Sequence, residues 1–206
     1  MNRVFLLSPA LASGVRMQML LRPGAEFPLA RAVQGEGAKL GEAFAFASGL
    51  YFRGKLAYAR AFAQEALVIT PGWGLASPEV RVRAADLRAI GEVPVDLRDE
   101  RYRLTLERDA RLLASRSVEV VLLGSIASGK YADVLEEILG DRLLFPPDFI
   151  GRGDMSRGGL LLRCVREGKE LPYRKLRGAE RHGARPPRLP RLRSAPAGSA
   201  PRKPTR

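Results

Sequence analysis

The sequence predicts a three-layer α/β fold, and three observations carry that expectation. Short runs rich in Val, Ile, Leu and Phe alternate along the chain with longer stretches whose apolar residues recur at three- and four-residue spacing. Strands separated by helices require crossover connections, so a mostly parallel sheet of about five strands with helices on both faces is expected. With 206 residues, 46% hydrophobic and 28% charged, the chain suffices for one core of ordinary size.

The first strand is expected at residues 4–7, Val-Phe-Leu-Leu, and Ser8-Pro9 ends it. Together with Ala10-Leu11-Ala12 this start imitates a signal peptide. The apolar run stops after four residues, however, where export needs roughly 7 to 15. Helical spacing follows over residues 36–47 and 51–64, and a strand over 67–70. A helix at 97–115 precedes the most convincing strand, 118–123, which feeds a helix at 131–139. A strand at 143–145, a helix at 156–167 and a fifth strand at 171–176 complete the series, while residues 81–92 match neither period. No repeat of 20–50 residues recurs.

Charge is distributed unevenly. The chain carries 35 Lys+Arg against 22 Asp+Glu, a net +13, yet residues 174–206 alone hold +10. Arg174, Lys175, Arg177, Arg181, Arg185 and Arg188 begin that segment, and six prolines follow Arg185. We therefore divide the chain into an α/β domain at 1–173 and a basic, Pro-rich tail at 174–206, largely disordered. Such a balance favours an acidic partner, nucleic acid or a nucleotide. One cysteine, Cys164, and one histidine, His182, exclude an internal disulfide and a Cys-x-x-Cys metal site, which fits a cytoplasmic setting. Neither cofactor nor metal is expected. No apolar run approaches the roughly 18 residues of a membrane span, and nothing bears on oligomeric state.

Ligands of parallel sheets bind beyond the carboxyl ends of strands, at glycine-rich turns. Three segments have that form. Gly124-Ser125-Ile126-Ala127-Ser128-Gly129-Lys130-Tyr131 has the spacing of a phosphate-binding P-loop, but Tyr131 replaces its metal-holding hydroxyl. Ser125, Lys130 and Tyr131 are its candidate binding residues, and a plain strand–turn–helix junction is the alternative. Gly151-Arg152-Gly153-Asp154-Met155-Ser156-Arg157-Gly158-Gly159 interleaves four glycines with two guanidinium groups. Arg152, Ser156 and Arg157 suit a planar anion and Asp154 is the candidate acid–base residue; a capped helix with solvated charges is the alternative. In the third segment, residues 48–60, Tyr51, Arg53 and Lys55 open a helix, and Trp73 follows the next strand in a glycine turn. Rings there either stack on bases or belong to the core. A serine triad is disfavoured by the lone histidine, itself too near the tail to act as a base with conviction, and by the lack of a G-x-S-x-G elbow.

The order Ser48-Gly49-Leu50-Tyr51, a basic helix, the strand at 67–70 and then Gly72-Trp73-Gly74-Leu75-Ala76-Ser77-Pro78 is similar to the bacterial peroxide-stress YaaA family and related uncharacterised domains. The resemblance covers about residues 48–80 and implies an α/β fold and DNA binding. Two functions are thus expected. One is binding of a phosphate-bearing ligand, most readily nucleic acid, through a glycine- and arginine-rich anion site with the basic tail as a clamp. The other is a nucleotide- or nucleoside-processing enzyme, of hydrolase or glycosyl-transfer type, working through residues 151–159.

Overall fold

The apolar run after Asn2 and Arg3 forms β1 (Asn2–Leu7), the first element of a computed structural model that describes residues 2–189. Two short helices, α1 (Val15–Leu21) and α2 (Pro28–Gln34), lead through β2 (Ala38–Lys39) to α3 (Leu40–Ser48) and α4 (Leu50–Phe62). Gly49, with φ at +62°, makes the sharp corner between α3 and α4 that an L side chain resists. Next come β3 (Glu65–Thr70), β4 (Gly74–Ala76), β5 (Arg81–Val82), α5 (Ala84–Gly91) and α6 (Glu100–Ala114). The series ends with β6 (Val118–Leu123), α7 (Gly129–Leu139), β7 (Leu143–Phe145), α8 (Asp154–Glu167) and β8 (Arg174–Lys175).

The main sheet runs β4-β3-β1-β6-β7-β8. Its four inner strands are mutually parallel, while β4 and β8 join antiparallel at the edges. Period-two alternation distributes the strand residues between two cores. Phe5, Leu7, Val121 and Leu123 face α1 to α4 and α8; Val4, Leu6, Val120 and Leu122 face α6 and α7. All eight are essentially inaccessible, and burial of such a side chain contributes roughly 1.5–3 kcal/mol. The expected α/β class, the parallel sheet and the helices on both faces are all present.

Details differ from expectation where local signals were weak. β4 was not foreseen because its three residues open on Gly74, whose φ of +81° reads as a turn. The strand expected at 171–176 narrows to β8, although Leu171 and Leu176 on either side are buried. Residues 81–92 divide into β5 and α5, and β5 pairs with β2 in a separate two-stranded ribbon. The boundary expected at residue 173 falls inside the folded body, since β8 pairs with β7 and Arg181 reaches Asp133 at 2.5 Å and Glu136 at 2.6 Å on α7. The stretch from residue 190 to 206, most of the expected disordered tail, lies outside the described residues.

Tyr58 anchors this C-terminal segment. The Leu171 N–H donates to Tyr58 Oη at 2.7 Å, Tyr58 and Tyr173 hydroxyls meet at 2.6 Å, and Tyr173 donates to Glu170 at 2.8 Å. Desolvation raises the Tyr58 phenol to about 12, a neutral hydroxyl at physiological pH.

Candidate functional site

The strand order reverses beside β1, which has β3 on one side and β6 on the other, so a crevice opens at the carboxyl ends of β1 and β6. Ser8 directly follows β1 and is fixed there by its N–H, which donates to the Leu123 carbonyl at 3.2 Å. Gly124 directly follows β6, and a Cβ at that position would lie 2.8 Å from Ser8 Cβ and 3.0 Å from Tyr131 Oη. The backbone therefore approaches Ser8 in a way that only glycine allows. Tyr131, at the eighth position of the P-loop-like segment, is buried with its ring against Gly124, where a Cβ would lie 3.0–3.2 Å from it.

Above this junction lies a cleft of about 530 Å³ lined by Ser8, Tyr51, Phe52, Lys55, Ser125, Lys130, Tyr131 and Asp154, with Leu11, Val95 and Met155 among its apolar walls. Its size falls within the range of small-molecule and cofactor sites. Lys55 forms part of its floor. That side chain is only 1% exposed, and its Nζ lies 2.7 Å from both the carbonyl oxygen and Oγ of Ser8. The Tyr51 and Phe52 rings flank Nζ at 4.6 and 4.8 Å from their centroids. Burial lowers the Lys55 pKa to about 7; Asp154 pulls it up and Arg157 pushes it down. Tyr51 and Lys55 stand four apart on α4, so one helix face presents both.

Tyr51 brings a second unusual group. Its Oη is buried with the Arg157 guanidinium as its polar neighbour; desolvation drives its pKa well above the ordinary value of 10, and Arg157 acts in the opposite direction. Burial also raises the Tyr131 phenol, with Ser8 and the Ser125 amide acting in the opposite direction. Arg157, 8% exposed, donates from Nε to the Phe149 carbonyl at 3.2 Å and from Nη1 to Asp154 Oδ1 at 3.3 Å. Asp154 opens α8 at the cleft lip, its side chain 69% exposed.

Beside the cleft runs a groove of about 430 Å³ whose walls, among the described residues, hold Arg152, Arg163, Arg185 and Arg188 and no carboxylate. The chain makes it by crossing back: residues 184–189 pass over the start of α8. Gly151, at φ +69°, lies so close to the Ala184 carbonyl that no side chain fits, and a Cβ on Gly159 would touch Leu189 at 4.0 Å. Met155 lines both cavities.

The structure thus gathers Tyr51, Lys55, Ser125, Lys130, Tyr131 and Asp154 at the cleft, and Arg152, Ser156, Arg185 and Arg188 at the groove. Arg157 is buried beneath, against Asp154. Two expected ligand residues lie apart. Arg53 is exposed, two positions from both Tyr51 and Lys55 and hence on another helix face. Trp73 sits in the β3–β4 turn, a strand beyond β1, where its carbonyl accepts from Arg108 at 3.4 Å. Of the expected basic clamp, Lys175 and Arg177 face Asp141 at 2.9 and 3.6 Å, and Arg181 is paired as described; Arg174 is exposed on β8. Ser8 escaped notice in the sequence, although a serine at the end of a central apolar strand was the signal available. Among the described residues no group of three or more His, Cys, Asp or Glu could hold a metal ion, and no helix is long and apolar enough to cross a membrane. Comparison with protein-family models, curated proteins and solved structures gives no match.

Proposed function

We propose that this chain binds single-stranded nucleic acid, with the phosphate backbone in the four-arginine groove and an unstacked or terminal nucleotide in the adjoining cleft. What carries this reading is one juxtaposition: a groove with Arg152, Arg163, Arg185 and Arg188 and, among the described residues, no carboxylate on its walls shares Met155 with a cleft lined by three aromatic rings. Guanidinium groups match phosphate oxygens in geometry and charge, and aromatic rings stack on any base, so the two cavities suit the two halves of a nucleotide. Lys130, exposed at the cleft, adds a further phosphate contact, and the overall +13 steers a polyanion toward the surface.

Anisotropy titrations of labelled single-stranded oligonucleotides across a salt series test it. Affinity should fall steeply with salt, and Arg185→Ala with Arg188→Ala should reduce the log–log slope by about 1.5. A wild-type affinity indifferent to salt, or unmoved by the double substitution, would reject the groove as the backbone site.

A second reading, a nucleotide-processing cleft with Asp154 as acid–base residue, draws on that carboxylate's place at the lip beside Lys55 and Arg157. Free nucleotides would then bind and turn over without the groove arginines, and Asp154→Asn would abolish turnover while leaving binding.

A further inference from the structure

We propose that Ser8 is a nucleophile and Lys55 its general base, making the cleft floor a serine–lysine site that takes acyl groups from carboxylic esters. This chemistry goes beyond binding and requires no nucleic acid.

The contact itself is the first support. Lys55 Nζ stands 2.7 Å from Ser8 Oγ and 2.7 Å from the Ser8 carbonyl oxygen. An ammonium satisfies both by donating twice. A neutral amine satisfies both as well, its lone pair accepting the Ser8 hydroxyl proton while one N–H donates to the carbonyl. The proton can therefore cross from Ser8 to Lys55 with no displacement of heavy atoms.

The surroundings are the second support. Lys55 is sealed by Tyr51 and Phe52, and removal from water disfavours its ammonium, the condition under which a lysine amine acts as a base near neutral pH. The charged and titratable groups around it are Tyr51 on α4, Tyr131 on α7, and Asp154 and Arg157 on α8. The nucleophile is rigid, because Ser8 is tied to β6 by its N–H and to α4 by Lys55, and it lines the cleft with 5% of its surface exposed. A histidine is not needed for this chemistry, since serine–lysine pairs replace the triad on other folds.

The reaction balances within the site. Ser8 Oγ bonds to the ester carbonyl carbon as its proton passes to Lys55 Nζ. The tetrahedral intermediate collapses by breaking the bond from carbonyl carbon to alkoxy oxygen, and the Lys55 ammonium protonates the departing alkoxide. Water then attacks the acyl-Ser8 carbonyl, Lys55 takes a proton from it, and the proton returns to Ser8 Oγ as the carboxylic acid leaves. Ser125, Lys130 and Tyr131, which line the same cleft, supply hydroxyl and ammonium groups for the oxyanion.

The test is covalent labelling of the full chain with an alkyl fluorophosphonate, the adduct located by peptide mass spectrometry, beside p-nitrophenyl acetate hydrolysis over a pH series. We expect one adduct, on Ser8, absent in Ser8→Ala and formed roughly 100-fold more slowly in Lys55→Met at neutral pH. In the wild type the labelling rate should rise with pH and level off above a midpoint near 7, where the Lys55 amine becomes neutral. That profile needs no variant, so it decides the matter even if Lys55→Met fails to fold. Absence of a Ser8 adduct, a pH-independent rate between about pH 5 and 9, or equal rates in wild type and folded Lys55→Met would each overturn the assignment. None of these outcomes depends on oligonucleotide binding, so the two proposals fail separately.

Discussion

Gly54 and Gly158 meet backbone to backbone where α4 crosses α8. A Cβ on Gly54 would fall 2.7 Å from the Gly158 carbonyl oxygen, and one on Gly158 would fall 2.7 Å from the Leu50 oxygen and 2.8 Å from Tyr51 Cα. This contact brings the Tyr51 and Lys55 end of α4 against the Asp154 and Arg157 end of α8. Alanine at either position must push the helices apart, and we expect it to cost about 1–3 kcal/mol in urea unfolding. Oligonucleotide affinity should weaken in parallel. Unchanged stability in both variants would show that the helices do not touch here.

Lys55 should give stability a measurable pH dependence. Its folded pKa, about 7, lies below the ordinary 10.5, so between those values the unfolded chain holds a proton that the folded chain lacks. Stability contributed at Lys55 therefore rises with pH above about 7, by at most ~1.4 kcal/mol per pH unit, and is lowest below the folded pKa. Wild type should gain on Lys55→Met as pH is raised from about 7 to 9 in paired denaturant titrations. Parallel curves would mean that Lys55 keeps its proton in the fold.

Tyr58→Phe probes the tie between α4 and the C-terminal segment. The substitution removes the acceptor of the buried Leu171 N–H and the hydroxyl partner of Tyr173. An unpaired buried amide should cost about 1–3 kcal/mol, seen as a lower urea midpoint at unchanged m-value. Hydrogen exchange of the Leu171 amide should accelerate. A silent substitution would place that amide in contact with water.

Gly124→Ala inserts a methyl group between Ser8 and Tyr131, 2.8 Å from one Cβ and 3.0 Å from the phenol oxygen of the other. Either side chain must move, so fluorophosphonate labelling of Ser8 should drop by an order of magnitude or more, because nucleophile placement is sensitive to shifts of about 1 Å. Labelling at the wild-type rate would show that Ser8 geometry tolerates the intrusion.

The sheet was legible wherever one residue's neighbours told its environment. Val118 to Leu123 could only be a doubly covered strand, and Tyr51 and Lys55 share a face because they stand four apart on a helix. The glycine- and arginine-rich segment at 151–159 stood out by composition, and the structure places Arg152 and Ser156 at the groove and Asp154 at the cleft. What escaped depends on contacts between distant residues. Ser8 and Lys55 lie 47 positions apart, and nothing local to Ser8 announces the amine that reaches it. Arg185 and Arg188 looked like part of a uniform basic tail, whereas Arg181 turns to α7 and these two turn to α8. Composition records the charge and not the direction in which the chain crosses. Trp73 misled for the converse reason: a glycine turn at the correct edge of the sheet is still one strand from the place where the order reverses.

The return of residues 184–189 over α8 also sets a timetable. In chain order α4, β6 and α8 all precede Arg185 and Arg188, so the elements that carry Ser8 and Lys55 are translated before half of the groove's guanidinium groups. The walls of the cleft thus lie in the earlier part of the chain, whereas the groove waits for the segment that crosses back over α8.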